Sequence, residues 1–412
     1  MARLVFSVLI GFVVARYLGP AQFGLFNYAF ALVTLAGALA EVGLEAVVKR
    51  ELIRAPAQAG AVLAAAWRLR LIAGAACYAV VLGWAWWGEA DAVVRVLLAI
   101  MGLLLFQPAL AVADLWLQAN LQARRATLAQ VLALSVGAGA RLALVVGRAP
   151  LWTFGAVLTG EAFLAAGALR VLARRAGMPS AGGEVKSWVP RLAAEAWPLL
   201  LSSVAVMIYM RIDVVMLRRL AGADAAGVYA AAVRISELWY FLPVALGSSL
   251  LPALLRSREA GAEIYARRLQ GYFDANAALA YGLSVPIALA APWLVQVAYG
   301  ARFAGAGPVL ALHIWAAPFV FIGVARGQFL VNEKLTRFGL VATLLGALAN
   351  VALNYALIPR AGPMGAAWAT VASYALAAWG SSFLHPAVRA VARMQTRALL
   401  LPLTGWRYLR RA

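Results

Sequence analysis

The chain has 412 residues, of which 65% are hydrophobic and only 13% charged, with a mean hydropathy of +0.84. Soluble domains run at roughly 45–50% apolar and about 25% charged, so the composition excludes a soluble globular protein and makes this a polytopic membrane chain. Its net charge of +20 would suggest nucleic acid in a soluble domain, but in a membrane chain basic residues first report sidedness.

A crossing takes about 20 apolar residues, and on that basis the sequence places about twelve spans. They lie near 3–18, 23–46, 69–87, 92–117, 128–147, 151–172, 196–217, 226–252, 276–298, 307–329, 338–358 and 364–384. The first is short, and "ARYLGP" at its end offers no small-x-small cleavage site, so it is expected to be a retained helix and not a removable signal. Cys77, the sole cysteine, lies in an apolar run and reads as a small core residue. One cysteine cannot supply a disulfide framework or a thiolate metal site within the chain.

With the N-terminus inside, the opposite side holds only Arg95, Arg148, Arg218, Arg219, Arg302 and Arg360, and the other basic loop residues, with those after Leu384, fall inside. This bias predicts both termini in the cytoplasm, and it makes most of the charge topological. The longest interior polar stretch, "ARRAGMPSAGGEVKSWVPRLAAEAWP", separates the sixth and seventh spans. The expected organisation is an N-terminal six-helix lobe over 1–175, a cytoplasmic linker over 176–195, a C-terminal six-helix lobe over 196–384 and a basic cytoplasmic tail over 385–412. That tail mixes apolar residues with arginines, and is expected to lie on the anionic inner leaflet or to fray.

"RYLGPAQFGLFNYA" (16–29) and "RLAGADAAGVYAAA" (219–232) match at an offset of 203: Arg16 with Arg219, Gly19 with Gly222, Gly24 with Gly227, Phe26 with Tyr229, Ala29 with Ala232. One copy joins spans one and two and the other spans seven and eight. The halves are therefore expected to be parallel repeats related by a pseudo-twofold axis along the membrane normal.

Four stretches carry a resemblance: "ARYLGPAQFGLFNYAFALVTLAGALAEVGLEAVVKREL", "MRIDVVMLRRLAGADAAGVYAAAVRISELWYFLPVALGSSLLPAL", "VAYGARFAGAGPVLAL" and "NVALNYALIPRAGPMGAAWATVASYAL". In this order they resemble the polysaccharide-transporter flippases that move lipid-linked oligosaccharides for O-antigen, capsule and exopolysaccharide. Those share a superfamily with the lipid II flippase and the multidrug and toxic-compound extrusion exporters. The chain departs from many relatives in its short N-terminus and in having twelve expected spans where they have fourteen.

The residues themselves argue against an enzyme. His313 and His385 lie far apart with no zinc-site spacing, no GxxxxGK[ST] phosphate loop exists, and the outer loops are short. Charges inside spans are costly, about 2.5–3.5 kcal/mol each at mid-helix on insertion scales, so they tend to face a cavity or a partner. Those placed within spans are Arg141, Glu161, Arg211, Asp213, Arg234, Glu237 and Arg326, with Arg16 closing span one.

At ~1.5 Å per residue, Asp213 and Arg234 lie roughly 10 and 12 Å below the hairpin at Gly222, where they can pair, with Glu237 sharing the face of Arg234. The structural reading is a cluster that holds the hairpin together. The functional reading, which the resemblance implies, is that Arg16, Arg141, Arg211 and Arg234 line a wet cavity and grip a lipid diphosphate through their guanidinium forks. Arg141 and Arg211 stand out because no acidic partner lies nearby in sequence. Glu161, Asp213 and Glu237 are candidates for coupling to H+ or Na+, with Glu161 the cleanest.

Asp114, Arg326 and Glu41 are candidate gates near the inner ends of spans four, ten and two, although Glu41 and Glu45 also suit interfacial pairing with Lys49 and Arg50. Trp84, Trp86 and Trp87 read as interfacial anchors. Tyr209, Trp239 and Tyr240 read as helix packing or as a sugar-stacking surface.

The expectation is an all-α, two-lobed transporter of a bacterial inner membrane, rocking around a central cavity. The resemblance implies a polyprenyl-diphosphate-linked oligosaccharide as cargo, membrane lipids and a polysaccharide polymerase as partners, no nucleic acid, and no cofactor beyond a coupling ion. A multidrug or organic-cation antiporter of the same superfamily is the alternative; a non-transporting scaffold would need neither repeated halves nor buried charges.

Overall fold

Inside hydrocarbon every backbone N–H and C=O must bond within its own segment or a closed barrel, and this chain meets that demand with helices. The computed structural model describes residues 2–180, 182, 184–259 and 261–404, and no strand occurs among them. The expected tail is thus described as far as Thr404, and residues 405–412, with Arg407, Arg410 and Arg411, lie outside the described residues.

The chain divides into two compact units, Met1–Val215 and Met216–Ala412. The first contains α1 (Ala2–Ala40), α2 (Leu44–Arg54), α3 (Ala59–Trp87), α4 (Ala92–Gly102), α5 (Gln107–Leu110), α6 (Val112–Ala119), α7 (Ala123–Val146) and α8 (Leu151–Arg175), and most of α9 (Val185–Leu220). The second contains α10 (Ala223–Ser236), α11 (Phe241–Glu259), α12 (Ala262–Tyr299), α13 (Ala306–His313), α14 (Ala317–Asn332), α15 (Thr336–Ala378), α16 (Arg389–Leu399) and α17 (Leu401–Thr404). The sequence puts the junction at 176–195, whereas the unit boundary falls within α9. The reason is packing: Trp188, Leu192 and Ala196 on α9 are buried in one core with Leu44, Val48, Ala65, Trp116 and Leu169.

Nine stretches among the described residues are long and apolar enough to cross a membrane, where the sequence suggests twelve. Two of them, Val8–Arg54 and Thr336–Phe383, each take in two expected spans, because Gly19 and Gly362 break α1 and α15 without ending them. The expected eighth span falls on α10 and α11, which a 3₁₀ turn at Glu237–Trp239 separates, and it is not among the nine.

The repeated motif is also a repeated backbone. Gly19 has φ 72° and ψ 173°, and Gly222 has φ 93° and ψ 177°. Only glycine occupies that region readily, which accounts for its presence at both places.

The end of the described chain is a correction to the tail reading. The apolar side of α16 faces protein: Val388, Val391 and Ala398 are buried with Leu254, Leu269, Tyr272, Phe273, Ile322 and Phe329. Trp379 Nε1 donates to Thr396 Oγ1 at 2.9 Å, Gln395 Nε2 to the Ala378 carbonyl at 2.8 Å, and Tyr281 to the Leu399 carbonyl at 2.8 Å. The apolar stripe that suited a membrane surface finds a core instead, and this segment neither frays nor lies with that face on lipid.

Candidate functional site

Where α1 ends, the turn Glu41–Val42–Gly43 takes the left-handed region twice in succession, at Val42 (φ 58°) and Gly43 (φ 63°). A β-branched residue in this region is strained. Gly43 is required for a second reason: a Cβ there would lie 2.8 Å from the Ala196 carbonyl oxygen and 2.5 Å from the Leu200 nitrogen. The turn therefore sits hard against α9, next to Ser202 and Ser203.

Two cavities meet at this turn. The larger, about 500 Å³, is lined by Thr34, Glu41, Gln107, Ser202 and Ser203 among apolar side chains. The smaller, about 300 Å³, shares Glu41, Ser202 and Ser203 and adds Glu45, Lys49 and Arg70. Polar groups in apolar spans thus converge on one space in the first unit.

Arg70 is the informative member. Its helix begins at Ala59, not near residue 69, so Arg70 lies inside the stretch Pro56–Trp87 and not in a loop. It is 5% exposed; Nη1 donates to the Pro108 carbonyl at 3.1 Å, while Nε is buried with no hydrogen-bond partner among the described residues. A buried guanidinium with an unused N–H is costly unless something accepts from it. Sequence reasoning missed Arg70 by counting it, at the edge of the span 69–87, with the inner basic residues; the apolar run AGAVLAAAW over 59–67 ahead of it is the signal that the helix extends and that Arg70 lies deeper.

Around the cavity, Lys49 Nζ donates to Glu45 Oε1 at 2.6 Å and to Gln118 Oε1 at 3.1 Å, and Gln118 Nε2 donates to Asp114 Oδ2 at 3.0 Å. Asp114 Oδ1 is buried with no hydrogen bond among the described residues. Glu51, 2% exposed, accepts from Arg50 at 3.0 Å and Arg191 at 3.4 Å, and Arg50 also pairs with Glu195, so α2 is tied to α9 by ion pairs.

The other sequence candidates are distributed differently. Arg141 and Glu161, one expected on the substrate and the other on a coupling ion, pair with each other at 2.5 Å. A Cβ on Gly137 would collide with the Glu161 carboxylate, so glycine makes the room. Arg141 does not line either cavity. In the first unit Arg16 is exposed, Arg211 is half-buried and Asp213 is 3% exposed; in the second, Arg234 and Glu237 are half-buried, and all five are engaged in interactions.

Arg326, 6% exposed, donates to Ser381 at 2.7 Å and Ser382 at 3.1 Å. Asp114 and Arg326 thus each have a partner within their own unit. Trp239 and Tyr240 pack against Ala280, Ala317 and Phe321. Trp84, Trp86 and Trp87 are 46%, 75% and 86% exposed, as interfacial anchors are.

The second unit holds a neutral polar seam that charge-based reading passed over. Asn354 donates to Asn350 Oδ1 at 3.0 Å, Asn350 to Ser373 at 3.3 Å, and Tyr229 shares a hydrogen bond with Thr370 at 2.9 Å, all fully or nearly fully buried. His313 Nδ1 lies 2.9 Å from Ser236 Oγ. Such groups join helices inside a bundle, and the available signal was the i, i+4 pair Asn350 and Asn354 in an apolar run.

The profile of the polysaccharide biosynthesis protein family matches residues 2–258, and that of the MatE family matches 198–356. A curated relative, the "Probable flippase AglR" of Haloferax volcanii, is 31% identical over 190 residues, 41% of this chain and 36% of that protein's length. Among solved structures, "Lipid II flippase MurJ, inward closed conformation" superposes with a TM-score of 0.76 at 13% identity, over 97% of this chain and 89% of that one. An inward-facing "multidrug resistance MATE family transporter of the MOP superfamily" gives 0.70 at 17% identity, over 96% of each chain. The chain belongs to the polysaccharide biosynthesis protein family and has the fold of the flippases and multidrug transporters of the MOP superfamily.

Proposed function

We propose that the chain is a flippase that carries a polyprenyl-diphosphate-linked oligosaccharide from the cytoplasmic to the outer leaflet by alternating access. The observation that carries this reading is Arg70, a buried guanidinium with an unused N–H beside a polar cavity. A diphosphate is a strong acceptor for such a fork. Thr34, Gln107, Ser202 and Ser203 offer neutral bonds to a sugar head group along the adjoining space, while the lipid tail stays in the bilayer. Family membership supports a polysaccharide-pathway cargo, and the name of the Haloferax relative supports flipping. Coupling to H+ or Na+ belongs to the same proposal, with Glu161, Asp213 and Glu237 as carboxylate candidates, Glu161 being ion-paired with Arg141.

Glu41 favours a second reading. Among the described residues it is the sole ionisable one lining the larger cavity, and an acidic, largely apolar space suits an organic cation. The two are separated by depleting the protein and scoring whether an outside-only glycosidase or lectin reaches the lipid-linked oligosaccharide. A flippase leaves the intermediate accumulated and inaccessible, with rescue by the wild type. Unchanged sidedness with raised sensitivity to organic cations selects the exporter.

A further inference from the structure

A third cavity, about 320 Å³, lies in the first unit apart from the two described above and shares no residue with them. It is bounded by α3, α5, α6, α8 and the chain just after α8, and three arginines rim it: Arg68, Arg170 and Arg174. All three are exposed, and none pairs with a carboxylate among the described residues. Arg170 and Arg174 stand at i, i+4, where like charges repel. Three unneutralised guanidinium groups around one hollow invite an anion.

The rim is built, not incidental. Just past the end of α8, Gly177 takes φ 91°, and the Met178 N–H bonds to the Ala173 carbonyl at 2.9 Å, which turns the chain back over the helix end. Ser180 then lies so close to α3 that a Cβ on Gly60 would sit 2.5 Å from its carbonyl oxygen. The floor is apolar, with Leu63, Leu110 and Val112.

Depth identifies the occupant. On α3 the exposed outer anchor Trp87 and the pocket residue Trp67 (38% exposed) are separated by roughly 30 Å at 1.5 Å per residue, the thickness of the hydrocarbon core. On α8, counting from exposed Trp152, Arg170 and Arg174 fall roughly 27 and 33 Å away by the same measure. Two independent helices thus put the arginines at the level of lipid phosphates, with Trp67 beside them where aromatic belts lie. We propose that this pocket binds the phosphodiester head group of an anionic membrane phospholipid, with Arg68, Arg170 and Arg174 on the phosphate and the acyl chain along the apolar floor. The proposal stands on the membrane-spanning fold alone and not on the identity of the cargo.

The test is native mass spectrometry of the full chain released from detergent after titration with dioleoyl phosphatidylglycerol or dioleoyl phosphatidylcholine. The wild type retains phosphatidylglycerol preferentially. Each of Arg68→Gln, Arg170→Gln and Arg174→Gln lowers that preference about fivefold, as expected for one basic group near a charged surface, and the triple variant loses it. Ala64→Phe, which fills the pocket and leaves the charges in place, loses it too and serves if the triple variant does not fold. Equal retention of the two lipids, or a preference that survives both variants, overturns the proposal. So does displacement by sodium pyrophosphate, which marks an aqueous anion site, or by polyprenyl diphosphate, which makes the pocket part of a transport route.

Discussion

Arg141 and Glu161 form an ion pair across the α7–α8 hairpin, Nη2 to Oε2 at 2.5 Å, with side chains 15% and 17% exposed. Removing one partner from a pair this sheltered leaves an uncompensated charge, which costs about 3–5 kcal/mol where burial is complete and less here. Glu161→Gln and Arg141→Met are therefore each expected to lower the thermal midpoint of the detergent-solubilised protein. The double variant Arg141→Met/Glu161→Met should recover much of the loss, since an apolar pair of similar volume is often as stable as a buried ion pair. A substrate role for Arg141 would show as lost flipping in the double variant despite restored stability; a structural role restores both.

Gly19 and Gly222 hold the same backbone geometry, with φ 72° and 93° and ψ near the extended value. Nothing lies within 4 Å of a Cβ built on Gly222, so the cost of a side chain there is conformational and not steric. Gly222→Ala and Gly19→Ala are each expected to destabilise by about 1–3 kcal/mol. Unfolding in detergent followed by tryptophan fluorescence checks this, with Gly282→Ala, at a helical glycine in open space, as the neutral control.

The contrast between these two pairs shows where sequence reading succeeds. Glycines needed for a positive φ are written into the chain at a fixed offset, so the repeat is legible without coordinates. The Arg141–Glu161 pair joins residues on different helices, and spacing along one helix carries no trace of it. The depth of Arg70 escapes the sequence for another reason. Hydropathy finds the apolar centre of a span but not its ends, and α3 begins some ten residues before the span 69–87 that hydropathy marks. The amphipathic pattern of α16 was legible as well, but a pattern specifies an apolar face and not what covers it.

That face yields its own prediction. Val391 is 2% exposed and Ala398 fully buried, in a cluster with Tyr272, Phe273 and Phe329. Val391→Asp places a charge in that core, and truncation after Leu384 uncovers it. Both should reduce the yield of folded protein and the thermal midpoint sharply. Arg393→Gln, on the exposed side of the same helix, should leave both unchanged. Equal tolerance of all three would mean that the helix does not seal the second unit.

Arg326 is fixed by Ser381 and Ser382 and lies over the Phe338 ring at 5.9 Å. Hydrogen bonds to a charged group are worth about 1.5–3 kcal/mol each, so Arg326→Ala should destabilise by a few kcal/mol. Ser381→Ala should cost less, because Ser382 remains as acceptor. If Arg326 acted mainly as a gate, flipping would fall in Arg326→Ala with the thermal midpoint unmoved. The expected result is loss of both together.

Arg70 separates in the opposite direction. Its one assigned side-chain bond is to the Pro108 carbonyl, and it lines a cavity where no residue among those described accepts from Nε. Arg70→Met fills similar volume without a charge, and replacing a buried charge in this way is often neutral for stability. Folded yield and thermal midpoint should thus stay near wild type, while outer-leaflet exposure of the lipid-linked oligosaccharide falls by about tenfold, the loss of one charge-assisted bond to a phosphate. Arg70→Lys should fall between, since an ammonium keeps the charge but cannot hold the Pro108 carbonyl and the ligand with the same planar fork. A variant that remains folded and flips normally would remove Arg70 from the cargo site, and with it the main physical reason for preferring an anionic cargo over a cation drawn to Glu41.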